Sequence, residues 1–207
     1  MNLLSASNSK LKRDGIYAFS IPAYRSESGK LTCPGAKDCI NGCYARGGFF
    51  LMPSVRKAYE RNLQLTQSKD FVGLMVREIK VKQVKIVRIH ASGDFYSKGY
   101  LASWLKIMVQ CPDVKFYAYT KMIPLFRGLG FALPDNFTVI FSEGGKYDAM
   151  ISDHDRHARV FQTRRDMIAA GYADTTTNDI RAMGKNPKIG LVYHGARAKA
   201  WNTERTG

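Results

Sequence analysis

The sequence has no long apolar run, and its first residues do not have the pattern of a secretory signal, so we do not expect a membrane-spanning or secreted protein. Its apolar stretches, such as FTVIF (137–141), reach only five or six residues, whereas a helix that crosses a bilayer needs about 20. The first residues, MNLLSASNSKLKR, contain no basic segment followed by an apolar stretch and so do not resemble a secretory signal. We therefore expect a cytoplasmic protein that crosses no membrane.

Acidic residues are also scarce. The chain has 17 Asp and Glu against 32 Lys and Arg, a formal charge of +15, and the excess is spread along the chain. Such a charge attracts polyanions, so a nucleic acid or a nucleotide is a candidate partner. The alternative is a soluble basic protein that binds polyanions without specificity.

Cysteine is scarce as well, but it is clustered. Three of the four cysteines, Cys33, Cys39 and Cys43, fall within eleven positions. A reducing cytoplasm disfavours a structural disulfide, and clustered thiols there indicate metal binding or catalysis. An isolated buried cysteine behaves as a small apolar core residue, whereas these three lie in a loop rich in Gly, Pro and Asn. The spacing predicts that all three are ligands of a metal or cluster.

Strand-like and helix-like segments alternate along the chain. Apolar, β-branched runs predict strands at 15–22, 84–90, 114–120, 136–142 and 188–195, with a weaker one at 158–163. Helical periodicity lies between them, after Ser54, after Asp70 and over 100–108. This alternation predicts a single α/β domain over residues 1–207, a partial parallel (β/α) barrel with the cysteine loop at 33–43.

Polar residues follow each predicted strand. In parallel α/β folds the loops that leave the carboxyl ends of the strands build the site. We therefore expect the cysteine loop to face the other strand-end residues, which are His90, Ser92, Gly93, Asp94, Thr120, Lys121, Ser142, Glu143 and His194.

Each feature has a plainer interpretation. HASGDF (90–95) is also typical of a turn in which Gly93 takes a positive φ and Asp94 caps a helix. His154 and His157 have metal-compatible spacing, but their charged neighbours favour a solvated surface turn. Cys111 precedes a strand, at the opposite end of the sheet from the loop, and is interpreted as a buried structural thiol.

If Cys111 is not a ligand, three thiolates leave one position open. A structural zinc usually has four protein ligands, whereas a 4Fe-4S cluster on three thiolates keeps one iron free. The spacing alone does not choose between the two metals.

The motifs NSKL, FSIPA, TCPGAKDCINGCYA, RIHASGDFYS, YLASW and FYAYTK occur in this order and resemble the bacteriophage gene product 88 family. The resemblance covers about residues 5–121, and more loosely VIFSEGG and HARVF. It implies a phage protein in the host cytoplasm and no particular activity.

The layout is also similar to the radical S-adenosylmethionine enzymes, in which a loop after the first strand binds a 4Fe-4S cluster through three cysteines. The spacing here, C-x5-C-x3-C, is wider than the usual C-x3-C-x2-C of that superfamily. The resemblance implies that S-adenosylmethionine occupies the open iron site and that an electron donor reduces the cluster. The implied cofactor contacts are Ser92, Gly93, Asp94, Thr120 and Ser142, and the implied catalytic pocket is His90, Lys121, Glu143 and His194.

The leading hypothesis is therefore a minimal radical S-adenosylmethionine-like enzyme that acts on a nucleotide or nucleic acid. The alternatives are a non-catalytic phage iron-sulfur module that binds or regulates a partner, and a zinc-stabilised nucleic-acid-binding domain closed by a histidine or Cys111. The oligomeric state does not follow from the sequence.

Overall fold

The computed structural model describes residues 2–6 and 9–193, so the predicted site residue His194 lies outside the described residues. The strands are β1 (Ile16–Phe19), β2 (Ile86–Ile89), β3 (Lys115–Thr120), β4 (Phe137–Ser142), β5 (His157–Phe161), β6 (Ala173–Asp174) and β7 (Lys188–Val192). The α-helices are α1 (Ser9–Arg13), α2 (Pro53–Thr66), α3 (Phe71–Val81), α4 (Lys98–Gln110), α5 (Ile123–Arg127) and α6 (Arg164–Ala169). No helix within these ranges is long and apolar enough to cross a membrane.

All seven strands join one sheet in the order β1-β2-β3-β4-β5-β7-β6, and every strand pair is parallel. The sheet curls into a half-barrel. The predicted α/β class and the parallel sheet are therefore confirmed. The observed strands are mostly shorter than predicted. The edge strand β6 was not predicted, because its two residues are too few to show a periodicity.

Alternate residues of β1 to β4 point to two different cores. On one face Phe19, Val87 and Phe116 pack against α3 and α4, with Trp104 fully buried among them. On the opposite face Ile16 and Tyr117 join a smaller apolar cluster that includes Leu11 of α1. Because both faces of the central strands are buried, these strands are continuous apolar runs in the sequence.

Helix α4 begins one turn later than the turn interpretation of HASGDF required. Its N-cap is Ser97, whose hydroxyl accepts a hydrogen bond from the Tyr100 N–H at 3.2 Å. Asp94 lies three residues before this cap and performs no capping, so that part of the interpretation is wrong. The larger cluster, which packs against α3 and α4, is called here the helix-covered core. At the other end of α4, Cys111 is buried in this core, as expected of a structural thiol.

Candidate metal centre

The cysteine loop leaves β1 and is fastened first to the loop after β2. The Thr32 hydroxyl donates to the Pro22 carbonyl at 2.7 Å, and the Asp94 N–H donates to the Thr32 carbonyl at 3.1 Å. The Cys33 sulfur accepts a hydrogen bond from the Tyr24 N–H at 3.2 Å. The first cysteine is thus fixed beside the end of β2, as the predicted strand-end assembly requires.

The middle of the loop is fastened to the Glu143-Gly144-Gly145 segment after β4. The Cys39 N–H donates to the Gly144 carbonyl at 3.2 Å, and the Lys146 N–H donates to the Gly35 carbonyl at 2.8 Å. A Cβ on Gly145 would lie 2.9 Å from the Gly35 oxygen. Only glycine permits this close approach of the two backbones.

The last part of the loop contacts the segments that follow β7 and β2. The hydroxyl of Tyr193, which follows β7, donates to the Gly42 carbonyl. Directly after Cys43, the Tyr44 hydroxyl donates to the Ala91 carbonyl at 2.6 Å. The loop therefore has contacts after β2, β4 and β7, so its backbone is held across the carboxyl edge of the sheet.

The three thiols share one electrostatic environment. Burial raises the pKa of Cys33, and the charges of Asp94, Cys43 and Cys39 raise it further against the Tyr24 hydrogen bond. Burial likewise raises the pKa of Cys39, although the Lys121 ammonium opposes it, and the pKa of Cys43. The free thiols are therefore protonated at neutral pH, and a bound metal must displace their protons.

Asp94 joins the loops after β2 and β3. Its carboxylate accepts from the Thr120 hydroxyl at 2.6 Å, the Lys121 N–H at 2.9 Å and the Phe95 N–H at 2.7 Å, and the residue is only 6% exposed. Burial raises its pKa against these three hydrogen bonds. Both carboxylate oxygens are thus engaged within the protein, which makes Asp94 a connector of neighbouring loops.

Lys121 joins the loops after β3 and β4. Its ammonium donates to the Ser142 carbonyl at 3.1 Å, the Ser142 hydroxyl at 2.8 Å and the Glu143 carbonyl at 2.6 Å. The Glu143 carboxylate turns away and accepts from the Arg159 Nε at 2.6 Å. The structure thus brings Thr120, Lys121 and Ser142 together, while the Glu143 side chain faces β5.

His90 and Ser92 have different environments. His90 has a φ of +67° and its Nε2 lies 2.8 Å from the Tyr100 hydroxyl, so its ring lies in the helix-covered core rather than among the thiols. Burial lowers the pKa of His90 to about 3. The Ser92 hydroxyl is buried and has no hydrogen-bond partner within the described part of the chain. A buried polar atom without a partner is rare. The His90 Nδ1 is a second such atom among the strand-end residues of the described ranges, so both groups have capacity for a ligand.

A buried charge cluster that was not predicted from the sequence lies on the face of the sheet opposite α3 and α4. Asp179 accepts from Arg88 at 2.8 Å and from the Tyr117 hydroxyl at 2.8 Å, and the Lys10 ammonium lies 2.5 Å from the same carboxylate. The signal was available, because Arg88 interrupts the apolar run VKIVRIH and a buried cation requires a partner. The Arg88 guanidinium also reaches the Tyr44 hydroxyl at 3.4 Å.

The interpretation of the two downstream histidines as a solvated turn is wrong for one of them. His157 begins β5 and is 4% exposed, and its ring nitrogens lie 2.9 Å from the Asp155 carbonyl and 2.8 Å from the Tyr172 hydroxyl. His154 is exposed. Within residues 2–6 and 9–193, no group of three or more His, Cys, Asp and Glu side chains could hold a metal ion.

The sheet and the site together define a class of protein, an α/β half-barrel with a cysteine loop fastened across its carboxyl edge. The chain belongs to the Gene product 88 family, whose model matches residues 2–207. The predicted resemblance to that phage family is therefore confirmed.

The relatives include two mycobacteriophage proteins. The chain is 32% identical over 128 residues to the Gene 88 protein of Mycobacterium phage L5, covering 54% of this chain and 52% of that protein. It is 32% identical over 108 residues to the Gene 88 protein of Mycobacterium phage D29, covering 44% and 43%. The match thus spans about half the length of these relatives. No solved structure matches, and the resemblance to radical S-adenosylmethionine enzymes gains no support from these comparisons.

Proposed function

We propose that this chain is an iron-sulfur protein in which Cys33, Cys39 and Cys43 bind a 4Fe-4S cluster with one open iron. The observation that carries the proposal is a loop with three partly buried thiols, fastened to the strand ends after β2, β4 and β7. Soft thiolate donors favour iron-sulfur clusters or zinc. A loop whose backbone is held at three points restricts the positions of its three thiols, which favours their use as ligands.

The donor set fits a cluster better than a single zinc ion. A structural zinc requires four ligands around one atom, but Cys111 is buried in the helix-covered core and no close group of metal ligands occurs in the described ranges. In a 4Fe-4S cluster each thiolate binds a different iron, so the three sulfurs need not converge on one point. Three thiolates then complete the protein's share of the ligands.

The finer proposal is that the open iron takes the amino-acid part of S-adenosylmethionine and that an electron donor reduces the cluster. When bound, this cofactor would supply radical chemistry for a nucleotide or nucleic acid substrate. In this proposal Ser92 offers its hydroxyl to the cofactor. Asp94 and Lys121 act as positioning residues, because their polar atoms bind neighbouring loops.

A second candidate is a non-catalytic iron-sulfur module that binds or regulates a partner. It is favoured by the same hydrogen bonds, since Asp94, Thr120, Lys121 and Ser142 bind one another rather than facing an open pocket.

Anaerobic purification followed by iron, sulfide and visible absorption measurements tests the cluster. We expect about four irons and four sulfides per chain. Each of Cys33→Ser, Cys39→Ser and Cys43→Ser should lose them, while Cys111→Ser, a control at a buried thiol outside the loop, should retain them. A colourless protein that holds one zinc, or a Cys33→Ser variant with full iron content, contradicts the proposal.

Incubation of the reduced protein with S-adenosylmethionine separates the enzyme from the module. Formation of 5'-deoxyadenosine supports the enzyme. An intact, reducible cluster that forms none supports the module.

A further inference from the structure

An exposed apolar surface follows the cysteine loop. Tyr44, Phe49, Leu51 and Met52, called here the apolar ledge, are 45%, 82%, 55% and 46% exposed. Isolated exposed apolar residues are common, but a concentrated group marks an interaction site. The ledge begins at the residue after Cys43, so whatever it binds lies next to the proposed cluster.

The ledge has a rigid base. The centroid of the Phe50 ring lies 5.5 Å from that of Tyr44 and 6.2 Å from that of Tyr59. The Tyr44 hydroxyl donates a hydrogen bond to the Ala91 carbonyl, which fixes its ring. Gly48 has a φ of +55° within the turn that directs Phe49 outward. An aromatic ring presented on a fixed backbone loses little conformational entropy when it binds.

The surroundings of the ledge are basic. Residues 39–59 contain no Asp or Glu but include Arg46, Arg56 and Lys57. Arg56 pairs with Glu27 at 2.9 Å, but both side chains are more than half exposed, so this ion pair is weak and a phosphate can compete for the arginine. Aromatic rings beside cations match the bases and phosphates of a nucleic acid, and Glu27 is the carboxylate that a phosphate would displace from Arg56.

We propose that the apolar ledge is a stacking platform for single-stranded nucleic acid, with unpaired bases on Phe49 and Tyr44 and the phosphates near Arg56 and Lys57. A single strand is favoured over a duplex because only unstacked bases expose their faces to aromatic side chains. The proposal names the substrate class of the proposed enzyme and to that extent rests on the proposed function. The binding itself requires no cluster.

Fluorescence anisotropy with a labelled single-stranded DNA of about 20 nucleotides, longer than the site of one small domain, tests the platform. Phe49→Ala should raise the Kd about 5- to 150-fold, the loss expected for one stacked base. The matched control is Phe131→Ala, which removes another exposed ring, 61% exposed, beside α4. It should leave the Kd within about twofold.

Salt dependence tests the phosphate contacts. Lys57→Ala should lower the slope of log Kd against log salt by about 0.7, the value for one phosphate of a single strand. The control Lys106→Ala, beside Phe131, should leave the slope unchanged.

Three results overturn the platform. They are equal Kd values for Phe49→Ala and Phe131→Ala, equal binding of a duplex of the same length, and a Phe49→Ala change that dissociates a dimer without altering nucleic-acid binding. Measuring wild type and Cys33→Ser side by side separates the proposals. If both proposals hold, Cys33→Ser loses its iron and still binds. A wild-type protein that is iron-free but binds contradicts only the cluster, and a cluster-containing wild-type protein that does not bind contradicts only the platform.

Discussion

Replacing Gly93 with alanine should destabilise the protein considerably more than the same replacement at Gly29. Both glycines have positive φ values, +86° and +84°, and so both variants incur a backbone strain of about 1–2 kcal/mol. They differ in the space around the added methyl group. A Cβ on Gly93 would lie 2.2 Å from the Ile21 Cγ1 and 3.2 Å from the Ile21 oxygen, whereas nothing lies within 4 Å at Gly29.

The expected magnitude follows from this difference. Forcing a methyl group into a packed site adds about 1–3 kcal/mol, so the free energy of unfolding should fall by about 2–5 kcal/mol for Gly93→Ala and about 1–2 kcal/mol for Gly29→Ala. Ile21, two residues after β1, is fully buried in the larger apolar cluster and cannot move without opening the core.

Urea denaturation of the two variants and the wild type measures the difference in the free energy of unfolding, provided that the three m-values are equal. Adding Ile21→Ala to each glycine variant provides a double-mutant cycle. In the Ile21→Ala background, Gly93→Ala should lower the free energy of unfolding by less than it does in the wild type. The effects of Ile21→Ala and Gly29→Ala on the free energy of unfolding should be additive. If the two glycine variants unfold within about 0.5 kcal/mol of each other, the close-approach argument for Gly93 is refuted.

Three further substitutions test buried polar groups. Asp94→Asn places an amide donor against N–H and hydroxyl donors and should lower the free energy of unfolding in urea by about 1–3 kcal/mol; unchanged stability would contradict its role as a connector. Arg88→Met leaves the buried Asp179 carboxylate with Lys10 and Tyr117 as its remaining partners, and it should lower the free energy of unfolding by about 3 kcal/mol in the same assay. A decrease below about 0.5 kcal/mol would contradict the proposed importance of the Arg88–Asp179 ion pair. His90 stays neutral in the folded protein down to a pKa of about 3 but protonates near 6.5 when unfolded, so its contribution to stability is complete above pH 6.5 and is lost as the pH falls towards 3. From pH 7 to pH 5 the wild type should lose about 2 kcal/mol more than His90→Gln; identical pH profiles would contradict this.

The central strands could be predicted from the sequence because their side chains are buried on both faces, which makes each of them an apolar run. Arg88 visibly interrupts one of these runs, but Asp179, which balances its charge, lies 91 positions away. No local pattern reveals a partner at that separation. His157 was misjudged for a related reason, since its polar neighbours lie in the turn before β5 while its own ring is buried against Tyr172.

The strand-end rule predicted only part of the assembly, because the His90 ring lies in the helix-covered core and the Glu143 carboxylate faces Arg159. It also did not predict what the assembled residues do. Asp94, Thr120, Lys121 and Ser142 do converge beside the cysteine loop, as parallel topology requires, yet they bind one another. Residue type and position cannot distinguish a carboxylate that awaits a ligand from one that holds two loops together, because both require a buried, ionisable group at a strand end.

These loop contacts also bear on how the proposed cluster would be held. The cysteine loop has no regular secondary structure beyond single 3-10 turns, so its conformation depends on its contacts with the loops after β2, β4 and β7. Lys121 fixes the loop after β4, and that loop in turn fixes Cys39 through the Gly144 carbonyl. Disturbing Lys121 should therefore displace Cys39 more than Cys33, whose own contacts are to Tyr24 and, through Thr32, to Asp94. The strand-end residues thus belong to the proposed metal centre as supports of individual thiols.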